Sequence, residues 1–157
     1  MPFYDEGLTF SCQRCSRCCR IEPGFVYLSY RDLTNLCNCF KLKEDDFIKK
    51  YCRWVQYYDN TEVLCLLETK KYDCVLWDNG CTAYNNRPVQ CSTYPFWSFL
   101  LESREDWNEN EKYCPGINKG QVHEKSEIES QLKKYEDNEP IHKNDYESKI
   151  SVFGRAS

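Results

Sequence analysis

The residues with the clearest chemical meaning are cysteines, and the tightest group of them reads Cys12-Gln-Arg-Cys15-Ser-Arg-Cys18-Cys19. Cysteines three apart on a turning backbone direct several sulfurs to one side. A metal needs that arrangement, because its thiolate ligands must converge to within about 2.3 Å of it. A disulfide framework suits the run poorly, since the neighbours Cys18 and Cys19 cannot easily bridge each other. Four further cysteines, Cys74, Cys81, Cys91 and Cys114, stand in loop-like sequence punctuated by Gly80, Pro88, Pro95 and Pro115. Rigid turns of this kind position ligands, and Cys114-Pro115 has the Cys-Pro ending of ferredoxin-type cluster motifs. Arg14, Arg17 and Arg20 interleave with the first sulfurs, and Arg87 precedes Cys91. Four thiolates around zinc(II), or around a doubly positive iron–sulfur cube, leave a net charge of about −2, which nearby guanidinium groups offset. The three-residue spacing and Cys114-Pro115 tip the reading toward an iron–sulfur cluster, while closed all-thiolate sites in a small domain equally suit zinc.

The remaining chemically capable residues read as bland. Cys37, Cys39, Cys52 and Cys65 are expected to be buried thiols, Cys37 lying on the apolar stripe of a helix that points Cys39 elsewhere. The two histidines, His123 and His142, fall in polar sequence and are expected at the surface, because His123-Glu124 has no second histidine at zinc-protease spacing. Gly116-Ile-Asn-Lys-Gly120 is too short for a phosphate loop. Trp54, Trp77, Tyr94, Phe96 and Trp97 are expected to be core, although aromatics wrapped around a cluster would exclude water.

The ordered pattern resembles the bacterial and archaeal YkgJ-like, or CxxCxxCC, family of cysteine-cluster proteins, described as zinc- or iron-chelating domains. The resemblance spans Phe10 to Gly120. It rests on the opening run, on Gly24 and Leu28-Ser29 leading into a helix with Asp32, and on Cys74 and Cys81. It rests further on Arg87-Pro88-x-x-Cys91-x-x-Tyr94-Pro95-Phe96 and on Cys114-Pro115-Gly116-Ile117 with Gly120. It implies a metal-binding set of Cys12, Cys15, Cys18, Cys19, Cys74, Cys81, Cys91 and Cys114, with Arg14, Arg17 and Arg87 as charge-compensating residues around the cluster. Two departures are visible: Ser92 where the family often has Arg, and Asn118 where Gly is common. A related cluster in a flagellin lysine methylase implies an alternative, an accessory subunit of a methyl-transferring enzyme. A third reading is a zinc-structured protein-interaction module.

The elements that must hold these residues belong to a chain of 157 residues, long enough for a core without obligatory cross-links. Its 21 basic and 25 acidic residues give a net charge of −4, which argues against nucleic acid as the main ligand. No apolar run approaches a membrane span, and Met-Pro-Phe-Tyr-Asp-Glu-Gly lacks a signal peptide's basic start. The expected compartment is the cytoplasm, where thiols stay reduced and 12 cysteines point to metal or redox chemistry.

The fold class expected is α+β, a small domain with a helical hairpin, short strands and irregular cysteine-rich loops organised around a metal. One helix follows the capping box Ser29-Tyr-Arg-Asp32. A second starts near Glu44-Asp45-Asp46 and carries Phe47, Ile48, Tyr51, Trp54 and Val55 on one stripe. The stretches 62–67 and 72–77 read as strands joined by a Lys-Lys turn. The division expected is a metal-binding domain over 1–118 and a polar, partly helical tail over 119–157. That tail carries a loosely packed helix aligning Ile128, Leu132 and Tyr135, and could dock a protein partner.

Overall fold

A computed structural model describes residues 1–19 and 24–154, without the side chains of Cys19 and of 151–154. In chain order the elements are β1 (Leu8–Phe10), α1 (Tyr30–Phe40), α2 (Glu44–Tyr51), β2 (Cys52–Gln56), β3 (Glu62–Leu66) and α3 (Val89–Thr93). They continue with α4 (Arg104–Glu109), β4 (Ile117–His123), α5 (Lys125–Asp137) and α6 (Lys143–Gly154). The chain is α+β, with two separate two-stranded antiparallel sheets, β1–β4 and β2–β3. Two compact units form, each from two stretches of chain: Met1–Arg20 with Val89–Asn138, and Ile21–Pro88 with Glu139–Ser157. Among the described residues, no helix is long and apolar enough to cross a membrane.

The first unit packs Tyr4, Leu8, Phe96, Leu101, Trp107, Ile117 and Ile128 into one core. Phe96 stacks on Trp107 with ring centroids 5.8 Å apart, and the indole Nε1 of Trp107 donates to Asn118 Oδ1 at 2.9 Å. Leu8 pairs with His123 and Thr9 with Val122, after which the register slips so that Phe10 faces Ile117. α5 is no loose surface helix. Ile128 is fully buried, and Tyr135 stacks on Trp97 at 5.2 Å.

In the second unit, α1 begins as expected. Asp32 N–H donates to Ser29 Oγ, and Ser29 N–H donates to Asp32 Oδ2, both at 3.1 Å. Leu33, Leu36 and Cys37 face inward, and Lys41 in the left-handed region (φ 56°) turns the chain toward α2. The second helix ends sooner than its apolar stripe suggests. Residues 52–56 are β2, paired with β3 from Cys52↔Leu66 to Gln56↔Glu62. The cause is the turn beyond them: Asp59 Oδ1 accepts from Thr61 N–H at 3.1 Å, and Asn60 takes φ 61°. A tight turn of that kind favours a hairpin, and the run Arg-Trp-Val supplies strand-forming side chains. The expected strand at 72–77 is replaced by turns with isolated bridges, Glu68↔Cys74 and Trp77↔Cys81.

The segment from 119 onward, expected to be a weakly cored tail, contributes to both units. Ile128 joins the first core, while Ile141 and Tyr146 join Leu28, Leu33, Phe47 and Leu64 in the second. Tyr146 Oη donates to Asp45 Oδ1 at 2.6 Å. A few apolar side chains at helical spacing are enough to dock a helix whose overall composition is polar.

Candidate metal centre

In the first unit, β1 delivers Ser11 into a cradle made by the segment after Cys114. Ser11 N–H donates to Gly116 O at 3.2 Å, and Ser11 Oγ accepts from Gln121 N–H at 2.8 Å. The fit requires glycine on the facing strand. A Cβ at Gly116 would overlap the Ser11 carbonyl oxygen, and one at Gly120, where φ is +79°, would overlap Ser11 Oγ. Cys12 and Cys114 are therefore each tied by short lengths of backbone to one tight contact.

Beyond Ser11 the chain winds sharply. Arg14 (φ 51°) and Ser16 (φ 67°) both take the left-handed conformation, which is disfavoured for side chains with a Cβ and persists where the surrounding structure imposes it. The winding aims Arg14 N–H at Cys12 Sγ, 3.4 Å away. Arg17–Cys19 then form one 3-10 turn, and an Arg17 guanidinium N–H donates to Lys112 O at 3.1 Å. That bond fastens the turn to the chain just ahead of Cys114.

Two of the predicted sulfurs stand on the loop that Ser11 and Arg17 tie to the Cys114 segment: Cys15 and Cys18. Burial pushes the Cys114 thiol up, and Cys15 adds to the rise. The backbone N–H groups of Gly116 and Ile117 and the Tyr94 hydroxyl oppose it, because all of them stabilise the thiolate. Burial likewise raises the Tyr94 phenol, followed by the effect of Cys114 and Cys18. Cys12, Cys15 and Cys18 are exposed, and Cys114 is half-buried. Backbone N–H groups directed at sulfur suit a thiolate that carries charge permanently, as a metal ligand does, so the donor set fits a thiophilic metal. Among the described residues, no three Cys, His, Asp or Glu side chains are already gathered at the spacing of one ion.

The other predicted residues take different places. Cys91 is half-buried on α3 of the same unit. Cys74 and Cys81 belong to the second unit, each heading a turn closed by Trp77 N–H to Cys74 O (2.9 Å) and Tyr84 N–H to Cys81 O (3.3 Å). The Cys19 side chain and Arg20 lie outside the described residues. Arg14 stands exposed on the loop. Arg87, also of the second unit, donates from Nε to Tyr84 O at 2.9 Å and covers the Tyr84 ring at 4.1 Å.

Among the thiols expected to be bland, Cys37, Cys52 and Cys65 are buried and Cys39 is half-buried. No described cysteine is in a disulfide. His123 is not a surface residue as expected. Its Nε2 donates to Phe10 O at 2.8 Å, its Nδ1 faces Glu127 Oε1 at 2.9 Å, and the ring braces β1 against α5. The residue that sequence reasoning passed over is Ser11, which ties β1 to the Cys114 segment. Its place directly before Cys12 was the available signal.

The chain is thus an α+β protein in which backbone contacts tie the loop of Cys12, Cys15 and Cys18 to the Cys114 segment. It is a member of the CxxCxxCC family, whose model, described as "Putative zinc- or iron-chelating domain", matches residues 11–115. The chain is also similar to the uncharacterized protein MJ0939 of Methanocaldococcus jannaschii, 26% identical over 126 residues. The match covers 76% of this chain and 41% of that protein, so the chain spans about two-fifths of its relative's length. No solved structure matches.

Proposed function

We propose that the protein binds iron as an iron–sulfur cluster through its patterned thiolates and serves in electron transfer or metal handling. One observation carries this reading: the loop of Cys12, Cys15 and Cys18 is fastened to the distant Cys114 segment by Ser11 N–H to Gly116 O at 3.2 Å and by Arg17 to Lys112 O at 3.1 Å. Cys12 belongs to the same loop and already receives a backbone N–H. Cys19 and Cys91 are the further ligands of this unit, and Cys74 and Cys81 are those of the second. When bound, the cluster would supply one-electron chemistry. Around it the chain's own groups would set its charge and exposure. Arg17 stands beside the Cys18 turn, Arg14 lies between the first two sulfurs, and the amides of residues 14, 116 and 117 would spread the thiolate charge. Arg87 is the candidate for compensating charge in the second unit.

Zinc is the second reading, favoured by the same N–H···S contacts, which serve a closed tetrathiolate site equally well. Anaerobic purification with visible spectroscopy and analysis for iron, zinc and acid-labile sulfide separates the two. Iron with sulfide is expected in the wild type and in Cys37→Ser, and both should be lost in Cys15→Ser, Cys18→Ser and Cys114→Ser. Zinc without sulfide would overturn the cluster, and neither metal would overturn the centre.

A further inference from the structure

We propose that His123 is a proton-dependent clamp on the strand that delivers Cys12, a positioning residue whose grip is complete only when both ring nitrogens carry hydrogen. The grip stands on contacts within the first unit, and its effect on metal rests on the reading of Cys12 as a ligand. The β1–β4 ladder breaks just where the cysteine loop begins. Leu8 faces His123 and Thr9 faces Val122, but the register then slips and Phe10 meets Ile117. At that slip the Phe10 carbonyl accepts from a side chain, His123 Nε2, at 2.8 Å. The imidazole thus holds the strand two residues before Cys12. Phe10 and Phe96 flank it, with ring centroids 6.2 and 5.2 Å from its own, and its side chain is only 13% exposed.

The second nitrogen decides the chemistry. Nδ1 lies 2.9 Å from Oε1 of Glu127, in the first turn of α5. A carbonyl oxygen and an ionised carboxylate can only accept, so both contacts are hydrogen bonds only when the ring is the doubly protonated imidazolium. A neutral ring has one N–H and must set a bare lone pair against one of the two oxygens. Either the Phe10 carbonyl loses its donor, or Glu127 no longer orients the ring toward it. Glu127 is the charged group that faces the ring from α5. Of its neighbours, Glu124 precedes the helix and Lys125 is drawn to Asp5 at 2.6 Å, while β1 and the Phe96 segment present aromatic faces. The sign follows. The grip is complete below about pH 6.5, the ordinary range of an imidazole, and weakens as pH rises past the point where the folded ring sheds its second proton. His142 offers a comparison, because its Nδ1 lies 2.9 Å from Thr61 Oγ1, a hydroxyl that can donate or accept, so one proton on that ring suffices.

Two readouts on the full chain, reduced and anaerobic, test the clamp. In histidine-selective nitrogen NMR from about pH 5 to about pH 9, His123 should keep both ring protons to a pH at which His142 has already shed one. A His123 ring that loses its proton together with that of His142, or earlier, would overturn the clamp without reference to metal. Cobalt(II) titrations of wild type and Glu127→Gln at about pH 6.5 and about pH 8.5 then test its effect on the site. Thiol ligands release protons on binding in both proteins, so the ratio of the two affinities isolates the ring. Wild type should bind about tenfold more tightly at the lower pH, the worth of one charge-assisted hydrogen bond, and that advantage should vanish at the higher. A ratio that does not change with pH is what a ring acting only in packing would give, and it would overturn the clamp's hold on the site. A wild type that takes up no cobalt would overturn the metal reading alone and leave the NMR to decide the clamp. Should Glu127→Gln fail to fold, His123→Gln takes its place, since it keeps a donor for Phe10 and carries no titrating proton.

Discussion

Gly116→Ala tests directly whether the Cys12 and Cys114 loops are held as a pair. The added methyl would overlap the Ser11 carbonyl oxygen and lie 3.0 Å from its carbonyl carbon. Both are backbone atoms that cannot swing aside as a side chain would. The end of β1 must then separate from the Cys114 loop, losing the 3.2 Å bond from Ser11 N–H to Gly116 O. Overpacking costs about 1–3 kcal/mol and the lost bond about 1 kcal/mol. A total of about 3 kcal/mol should lower the melting temperature by roughly 6–12 °C in a chain of this size. Cys12 follows Ser11 and Cys114 lies two residues before Gly116, so the same separation pulls two sulfurs apart and should weaken cobalt binding at least tenfold, about the penalty of disturbing groups that orient ligands. Gly24→Ala is the control, because nothing lies within 4 Å of a Cβ built there. Thermal and urea unfolding with cobalt titration of both variants decide the matter. A Gly116→Ala protein that melts with wild type and binds metal as tightly would refute the idea that this contact pairs the loops.

Ile128→Ala should destabilise the first unit by about 2–5 kcal/mol in urea unfolding, against almost nothing for exposed Lys133→Ala, because Ile128 is fully buried in the core. Burial raises the thiol pKa of Cys52 and of Cys65. A buried neutral thiol that ionises freely once unfolded contributes stability below about pH 8.5 and loses it as pH rises toward the folded value. The unfolding free energy should therefore fall above that pH, by up to about 1.4 kcal/mol per pH unit per thiol; the urea midpoint should drop with it, and the fall should shrink in Cys52→Ala. Metal affinity should change in the opposite sense at low pH. Thiol ligands must lose protons to bind, so zinc competition titrations from about pH 8 down to about pH 6 should show steady weakening.

Legibility in the sequence followed how local each cause is. The start of α1 was readable because its whole capping box lies within Ser29 and Asp32, and the start of α2 because three acidic residues crowd its first turn. The end of α2 was not, since Trp54 and Val55 satisfy a helical stripe as well as they satisfy β2. Only the pairing with β3 decides between them. Residues beyond 119 misled because their apolar side chains are sparse, yet Ile128, Ile141 and Tyr146 are placed where a core needs them. At the proposed centre, the cysteine spacing made the sulfurs candidates, while the Ser11 cradle depends on contacts between segments about 110 residues apart. Asn118 joins both levels. It stands where the resemblance expects Gly, and its φ of 65° explains why Gly is favoured there and why Asn is tolerated.

The arrangement of the first unit also explains how an exposed loop can be a binding site. Thiolates on a flexible segment would lose much of their affinity to the entropy of gathering them. Here that cost is reduced in advance, for the 12–18 loop is fixed at one end by Ser11 against Gly116 and Gly120 and near the other by Arg17 on Lys112 O. Its two left-handed residues leave little freedom between those anchors. The sulfurs remain reachable because Cys12, Cys15 and Cys18 face outward. Cys114, half-buried on the segment that Ser11 and Arg17 grip, is the proposed member to which they would close. Under the proposed function, metal capture would require the rotation of exposed side chains rather than the refolding of a loop.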